Sequence, residues 1–198
     1  MRAAIFIEPA GLLADIDPTR GGFGRLFELR PEASAPLAAL KRAGFLLIAD
    51  ANEHGLLHAG VGRGELDQMH EALRCAFSLD DILVCRHDDG DACPCRKPRP
   101  GLVTEAAFKW HLDLERSFVV GNRWQDAEMA RMAGCVSLLV KSPWIGRGHH
   151  DFVLPDLASV AWKILDLKDG AHAVPRGTTL SHDPAGADQN LTPIEDLT

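Results

Sequence analysis

A parallel β-sheet wound with helices on both faces is the fold class this sequence predicts, and three observations predict it. Short apolar runs alternate with stretches of helical periodicity across residues 3–167. Runs such as Phe45-Leu46-Leu47-Ile48-Ala49 are apolar at consecutive positions, as in strands covered on both faces. Glycine and proline fall between the runs, where the chain must turn. Strands alternating with helices give a Rossmann-like α/β sheet, whose sites gather at the carboxyl ends of its strands.

The first apolar run, residues 3–7, breaks into Glu8-Pro9-Ala10-Gly11 and is a strand feeding a loop. Residues 12–33 carry Pro18, Gly21, Gly22, Gly24 and Pro31 with little periodicity, so they are expected to be irregular. A helix is expected over 36–43, with Leu37, Leu40 and Ala43 inward and Gly44 ending it. Strand 45–49 follows, then a loop over 50–64, then a helix over 65–77 with Leu66, Met69, Leu73 and Phe77 packed. Strand 82–84 delivers the chain to a polar loop, and Pro100 opens a helix over 100–111, where its missing N–H costs nothing. Strand 117–120, helix 125–132, strand 136–140 and helix 156–167 complete the alternation. One domain over 1–168 with a disordered or loosely docked tail over 169–198 is the expected organisation, since the tail has no apolar period.

Composition narrows the function. A net charge of −7 over 198 residues argues against nucleic acid or an anionic membrane as partner, and no apolar run approaches a membrane span. A cytoplasmic home is expected, because Cys75 and Cys135 lie in apolar surroundings and are read as reduced core residues.

The most specific stretch is Cys85-Arg86-His87 followed by Cys93-Pro94-Cys95, with Asp88-Asp89-Gly90-Asp91-Ala92 between them. Three thiolates and an imidazole within one short polar loop suit a closed tetrahedral Zn²⁺ site of structural type, with ligands Cys85, His87, Cys93 and Cys95. Metal affinity becomes folding free energy in such a loop, which needs no apolar core beneath it.

That loop runs straight into Arg96-Lys97-Pro98-Arg99-Pro100-Gly101 and so resembles the haloacid dehalogenase (HAD) superfamily phosphatases. The resemblance is to the zinc-bearing group of D,D-heptose 1,7-bisphosphate phosphatase and histidinol phosphatase, and it implies the HAD fold without a large cap domain. In that family the first strand ends in Asp-x-Asp-Gly-Thr, a nucleophile followed by a general acid/base. Glu8 and Ala10 occupy those two positions here, and Leu12 the threonine position. The family's Thr-Asn pair, which grips the phosphoryl group, is matched by Ala51-Asn52. Its phosphate-neutralising lysine is matched by Lys97, and a substrate-phosphate contact by Arg96. Its Gly-Asp-x-x-x-Asp, whose first Asp holds Mg²⁺, is matched by Gly121-Asn122-Arg123-Trp124-Gln125-Asp126.

Phosphoryl transfer is positioning and charge neutralisation, so displacing a carboxylate by about 1 Å costs about 10²-fold. Losing the acid/base at Ala10 costs on the order of 10²–10⁴, and an amide at Asn122 weakens a Mg²⁺ site. The sequence is therefore read as a catalytically degenerate pseudophosphatase that binds Mg²⁺ weakly if at all. It is expected to act by binding a protein partner or a phosphorylated small molecule through Asn52, Arg96 and Lys97. The alternative is an active Mg²⁺-dependent phosphatase on a sugar bisphosphate or histidinol-phosphate-like substrate, with its centre rebuilt around Glu8 and Asp126.

Blander roles stand beside these. Glu8 pairs with Lys97 or Arg96 as a structural salt bridge, and Asp126 accepts backbone N–H groups in the first turn of its helix. His54, His58 and the His149-His150-Asp151 run are expected on solvated loops, and Trp124 and Trp144 in core or rim packing.

Overall fold

A computed structural model describes residues 1–17, 26–146 and 148–169. Its main sheet has six strands, β1 (Ala4–Ile7), β4 (Leu46–Asn52), β5 (Asp81–Cys85), β6 (Phe118–Gly121), β7 (Val136–Val140) and β8 (Phe152–Leu154). They lie in the order β5-β4-β1-β6-β7-β8, and every neighbouring pair is parallel. Two short strands, β2 (Ala14–Ile16) and β3 (Phe27–Leu29), form a separate antiparallel pair.

Among the described residues six α-helices form: α1 (Ser34–Arg42), α2 (His54–His58), α3 (Arg63–Phe77), α4 (Gly101–Trp110), α5 (Trp124–Ala133) and α6 (Leu157–Asp169). The buried residues fall into two large clusters, and strand alternation explains the division. Ile5, Ile7 and Leu47 pack with Leu37 and Leu40 of α1, Leu66, Met69 and Leu73 of α3, and Val160 and Ile164 of α6. Ala4, Phe6, Leu46 and Ile48 pack with Leu102, Val103 and Ala106 of α4 and with Met129 and Ala130 of α5. Both faces of β1 and β4 are therefore covered, which is why their sequences read as unbroken apolar runs. The parallel, helix-covered sheet agrees with the expected fold class.

Four expectations need correction. Residues 12–33 are not irregular throughout: β2 and β3 pair there, with Ala14 opposite Leu29 and Ile16 opposite Phe27. Strand β4 does not stop at residue 49 but continues to Asn52 because β5 pairs with it as far as Asn52↔Cys85. Cys75 is exposed and its thiol donates to Glu71 Oε1 at 3.2 Å, whereas Cys135 is buried. On α3 the packed residues Leu66, Met69, Leu73 and Phe77 define one face, and Cys75, two positions from Leu73, points away from it. Residues 50–64 are not all loop, since α2 (His54–His58) forms within them; Trp124 and Trp144, 46% and 64% exposed, fit the rim side of the expected core or rim packing. Of the tail expected over 169–198, Asp169 ends α6 and the remainder lies outside the described residues.

No helix among the described residues is long and apolar enough to cross a membrane.

Candidate active site and metal centre

Parallel register brings the carboxyl ends of β1, β4 and β6 to one edge of the sheet, with Ile7 beside Ala49 and Val120. Glu8 leaves β1 at this edge, its N–H donating to Val120 O at 3.0 Å. Lys97 arrives from the loop before α4 and places Nζ between three carboxylates. Glu8 Oε2 is 2.8 Å away, Asp126 Oδ1 2.8 Å and Asp50 Oδ2 3.0 Å. The Lys97 and Asp50 side chains are 3% and 0% exposed, so the group is sealed from bulk water on most sides.

Each partner is held in place. Glu8 Oε1 accepts the Ala10 N–H at 3.1 Å while Oε2 faces the lysine. Asp126 Oδ2 accepts the backbone N–H groups of Asn122 and Arg123 at 3.1 and 3.0 Å, closing the first turn of α5. That leaves Oδ1 for Lys97. Gly121 makes this possible, because a Cβ there would lie 2.2 Å from Asp126 Oδ2. Asp50 differs: it pairs with Lys97 by proximity, yet neither carboxylate oxygen has a hydrogen-bond partner.

Electrostatics follow from burial and sign. Burial pushes the Asp50 carboxyl up to about 7; Lys97 opposes the shift, while Glu8 and Asp126 add to it. Burial disfavours the Lys97 charge, but Asp126, Asp50 and Glu8 outweigh it and hold the ammonium well above its usual range. With every group ionised, three carboxylates face one ammonium and two negative charges are in excess.

Asn122 donates from Nδ2 to Ala10 O at 3.0 Å and so ties the loop after β6 to the loop after β1. Its Oδ1 is buried without a hydrogen-bond partner, and so is Oδ1 of Asn52 at the end of β4. Arg96 donates to His87 O at 3.1 Å. These donors bear on magnesium. A hard dication takes oxygen ligands and usually only one or two carboxylates, completed by water and phosphate. Glu8, Asn122 Oδ1 and the Ala10 carbonyl supply such oxygens beside a negative excess, so the residues present fit a divalent cation.

At the end of β5, Cys85 Sγ lies 3.7 Å from Cys93 Sγ and 3.4 Å from Cys95 Sγ. His87 Nδ1 lies 3.2 Å from Cys95 Sγ and 3.7 Å from Cys85 Sγ. All four donor atoms fall within 4.8 Å of one another. Ligands at about 2.3 Å from a tetrahedral centre stand about 3.7 Å apart, so this cluster has the dimensions to hold a metal ion. Without one, burial first and the Cys85 and Cys93 sulfurs next push Cys95 up to about 12. A bound dication removes that penalty by holding the sulfurs as thiolates.

The cluster connects to Lys97 through a tight turn. Arg99 donates to Cys93 O at 2.6 Å and Gly101 N–H to Pro94 O at 2.9 Å. Gly101 must lack a side chain, since a Cβ would meet Pro94 O at 2.4 Å. On the other side, buried Glu53 bonds His70 and lies 3.4 Å from Arg86 Nε, linking β4, α3 and the entry to the cysteine loop.

Asp50 and Glu53 escaped the sequence reading because both sat in what was taken as loop. The usable signal was a carboxylate continuing an apolar strand without a turn residue between. His149 lies 3.7 Å from Asp151 and is more than half exposed, in keeping with a surface position. A cavity of about 750 Å³, lined in part by Arg2, Phe45, Arg116, Phe118 and Lys168, opens at the amino-terminal ends of the strands and is remote from Lys97.

Comparison with known proteins gives these residues a context. The HAD-hydrolase-like family model matches residues 94–159. The D-glycero-β-D-manno-heptose-1,7-bisphosphate 7-phosphatase of Bordetella bronchiseptica is 29% identical over 150 residues, 68% of this chain and 82% of the relative. The protein of the same name from Helicobacter pylori J99 is 30% identical over 129 residues, 62% of this chain and 74% of the relative. The histidine biosynthesis bifunctional protein HisB of Campylobacter jejuni is 29% identical over 137 residues, 66% of this chain and 39% of its own length. Among solved structures, D,D-heptose 1,7-bisphosphate phosphatase from B. bronchiseptica complexed with magnesium and phosphate superposes with a TM-score of 0.65 at 26% identity. It covers 84% of this chain and 99% of the other.

These relatives correct the expectation of a non-catalytic protein. The Bordetella and Helicobacter relatives are named as phosphatases, and the solved one shares this fold. The chain belongs to the haloacid dehalogenase-like phosphatase superfamily, in the group that contains the heptose 1,7-bisphosphate 7-phosphatases.

Proposed function

We propose that this protein is a phosphoric monoester hydrolase acting on a phosphorylated sugar, with Glu8 as nucleophile and Lys97 as the fixed positive charge. The observation that carries the reading is the Lys97 ammonium, buried at the carboxyl edge of the sheet and 2.8 Å from Glu8 Oε2. Hydrogen bonds at both oxygens of Glu8 hold it in one orientation, as a nucleophile requires. Asn52 and Arg96 contribute phosphoryl contacts beside Lys97. A divalent cation held by Glu8, Asn122 Oδ1 and the Ala10 carbonyl would supply charge neutralisation for the transferring group.

A Glu8 oxygen bonds to phosphorus as the ester P–O bond breaks, and water then cleaves the phosphoenzyme to restore Glu8 and release phosphate. Ala10 offers no proton, so the leaving oxygen takes its proton from solvent. That handicap is smallest where the leaving oxygen is least basic. Sugar 1-phosphates and aryl phosphates are therefore better substrates than primary alkyl phosphates. The name of the B. bronchiseptica relative makes heptose bisphosphate the first compound to try, with histidinol phosphate, a primary alkyl phosphate, as the comparison expected to turn over more slowly.

The cysteine loop is assigned a structural Zn²⁺ held by Cys85, His87, Cys93 and Cys95, supported by donor spacing and by the thiolate-imidazole chemistry of the set. Reduced thiols of this kind suit a cytoplasmic protein.

The test is release of inorganic phosphate from a panel of sugar mono- and bisphosphates, histidinol phosphate and an aryl phosphate, with and without Mg²⁺. Wild-type turnover that falls at least about 10²-fold in Glu8→Gln is the expected result. Turnover equal in wild type and Glu8→Gln, or absent across the panel, would remove the reading.

A further inference from the structure

We propose that Asp50 sets the anion affinity of the Lys97 centre, its buried carboxylate competing with an incoming phosphoryl group for the lysine's charge. The inference rests on the phosphoryl-site reading of Lys97, and no motif of the sequence points to it. Asp50 lies inside β4, opposite Leu83 of β5, and is completely buried. A fully buried carboxylate ordinarily collects several hydrogen bonds, yet among the described residues Asp50 has no backbone or neutral side-chain donor, and its one close partner is the Lys97 ammonium at 3.0 Å. Glu8 and Asp126 are anchored by backbone N–H groups, so each has a structural reason for its place apart from Lys97. Asp50 has no such anchor. Its interactions are electrostatic, with Lys97 from the loop before α4, Glu8 from the loop after β1 and Asp126 from α5.

Charge decides what that contact does. An ionised Asp50 cancels one unit of positive charge beside the position where a dianionic phosphoryl group must sit. Protonation of Asp50 lowers the negative excess around Lys97 from two charges to one, which eases the approach of an anion. Burial holds the Asp50 carboxyl near neutrality, so both forms are populated at ordinary pH. Asp50 is in this sense a positioning residue acting through Lys97, and it makes anion capture weaker as the solution becomes alkaline.

Sulfate is the appropriate probe, because it stays a dianion throughout and is not hydrolysed. Its affinity is measured by calorimetry on the whole chain between pH 5.5 and 8.5 at fixed ionic strength and constant Mg²⁺. Wild-type affinity is expected to fall on the order of tenfold as pH rises through about 7. Asp50→Asn keeps the shape and removes the charge. It should bind sulfate about tenfold more tightly than wild type at pH 8.5 and equally at pH 5.5. Parallel profiles for the two proteins would assign the pH effect to histidines and overturn the inference. A flat wild-type profile overturns it without any variant, should Asp50→Asn fail to fold. A wild type that binds no millimolar sulfate even at pH 5.5 refutes the phosphoryl-site reading and this inference with it.

Discussion

Lys97 Nζ and Asp126 Oδ1 meet at 2.8 Å, both buried, although one comes from the turn before α4 and the other from the first turn of α5. The contact fixes the loop carrying the lysine to the helix that follows β6. It also leaves Lys97 as the counter-charge for Glu8 and Asp50. Removing it leaves three carboxylates together without compensation. Lys97→Met is expected to destabilise the fold by about 3–5 kcal/mol at pH 8. The loss should be much smaller at pH 5, where the carboxyls can take up protons. Urea unfolding at the two pH values measures the difference, and equal losses would contradict it.

Gly121 is held to glycine by the same helix. A methyl group there would lie 2.2 Å from Asp126 Oδ2 and 2.3 Å from its Cγ, so the Asp126 side chain must leave its place. Gly121→Ala should cost about 1–3 kcal/mol in stability. It should also weaken sulfate binding, because the loop that carries Lys97 loses its attachment to α5. A crystal structure of the variant with Asp126 still capping α5 would show the steric argument to be mistaken.

Some of this site was legible before any coordinates, and the boundary between legible and hidden is physical. The cysteine loop could be read because ligand spacing is itself chemical information. Lys97 followed from its place directly after Cys95-Arg96. Strand β1 announced itself by four consecutive apolar residues covered on both faces. Asp50 was hidden because polarity was taken as the end of a strand. In the molecule β4 runs on through Asp50 to Asn52, and the charge is accommodated by a lysine 47 positions away. Strands β2, β3 and β8 have three residues each, too few for any alternation to register. Cys75 shows the limit of composition: Leu73, Ala76 and Phe77 surround it in sequence, but the helix turns it outward beside Glu71.

The cysteine cluster and the lysine share one short segment, so a metal bound at the cluster would also fix the position of Lys97. Cys95 stands two positions before Lys97, and Arg99 returns to bond Cys93 O at 2.6 Å. Cys95→Ser should reduce bound zinc from about one per chain to a small fraction and lower thermal stability. Because the loop then loses its anchor, sulfate affinity should fall as well, by about tenfold or more. Metal analysis and calorimetry on the same preparation decide this. Full sulfate affinity in a zinc-free variant would mean that the turn holds Lys97 unaided.

The buried Asp50 carboxyl also makes the fold itself sensitive to pH, and the sign can be worked out. Its pKa is 3.8 in an open chain and about 7 in the folded protein, raised chiefly by burial. Between those values the native state holds a proton that the unfolded state has lost, so stability falls as pH rises. The decline begins near pH 4, ends near pH 7 and amounts to a few kcal/mol, after which Asp50 contributes no further slope. Lys97 works in the same direction but in a more alkaline window. Burial opposes its charge, but Asp126, Asp50 and Glu8 outweigh burial and raise its pKa, so the stability it contributes is fully present below the ordinary lysine value of 10.5 and is lost as pH rises from there toward the higher folded value. Across pH 5–8 the Asp50 slope therefore stands apart from that of Lys97. Histidines titrate in the same window, so the informative quantity is the difference between wild type and Asp50→Asn. Urea midpoints for Asp50→Asn should exceed those of wild type at pH 8 and converge with them toward pH 5. A difference that stays constant across the range would mean that Asp50 is already ionised at pH 5, with Lys97 overcoming its burial.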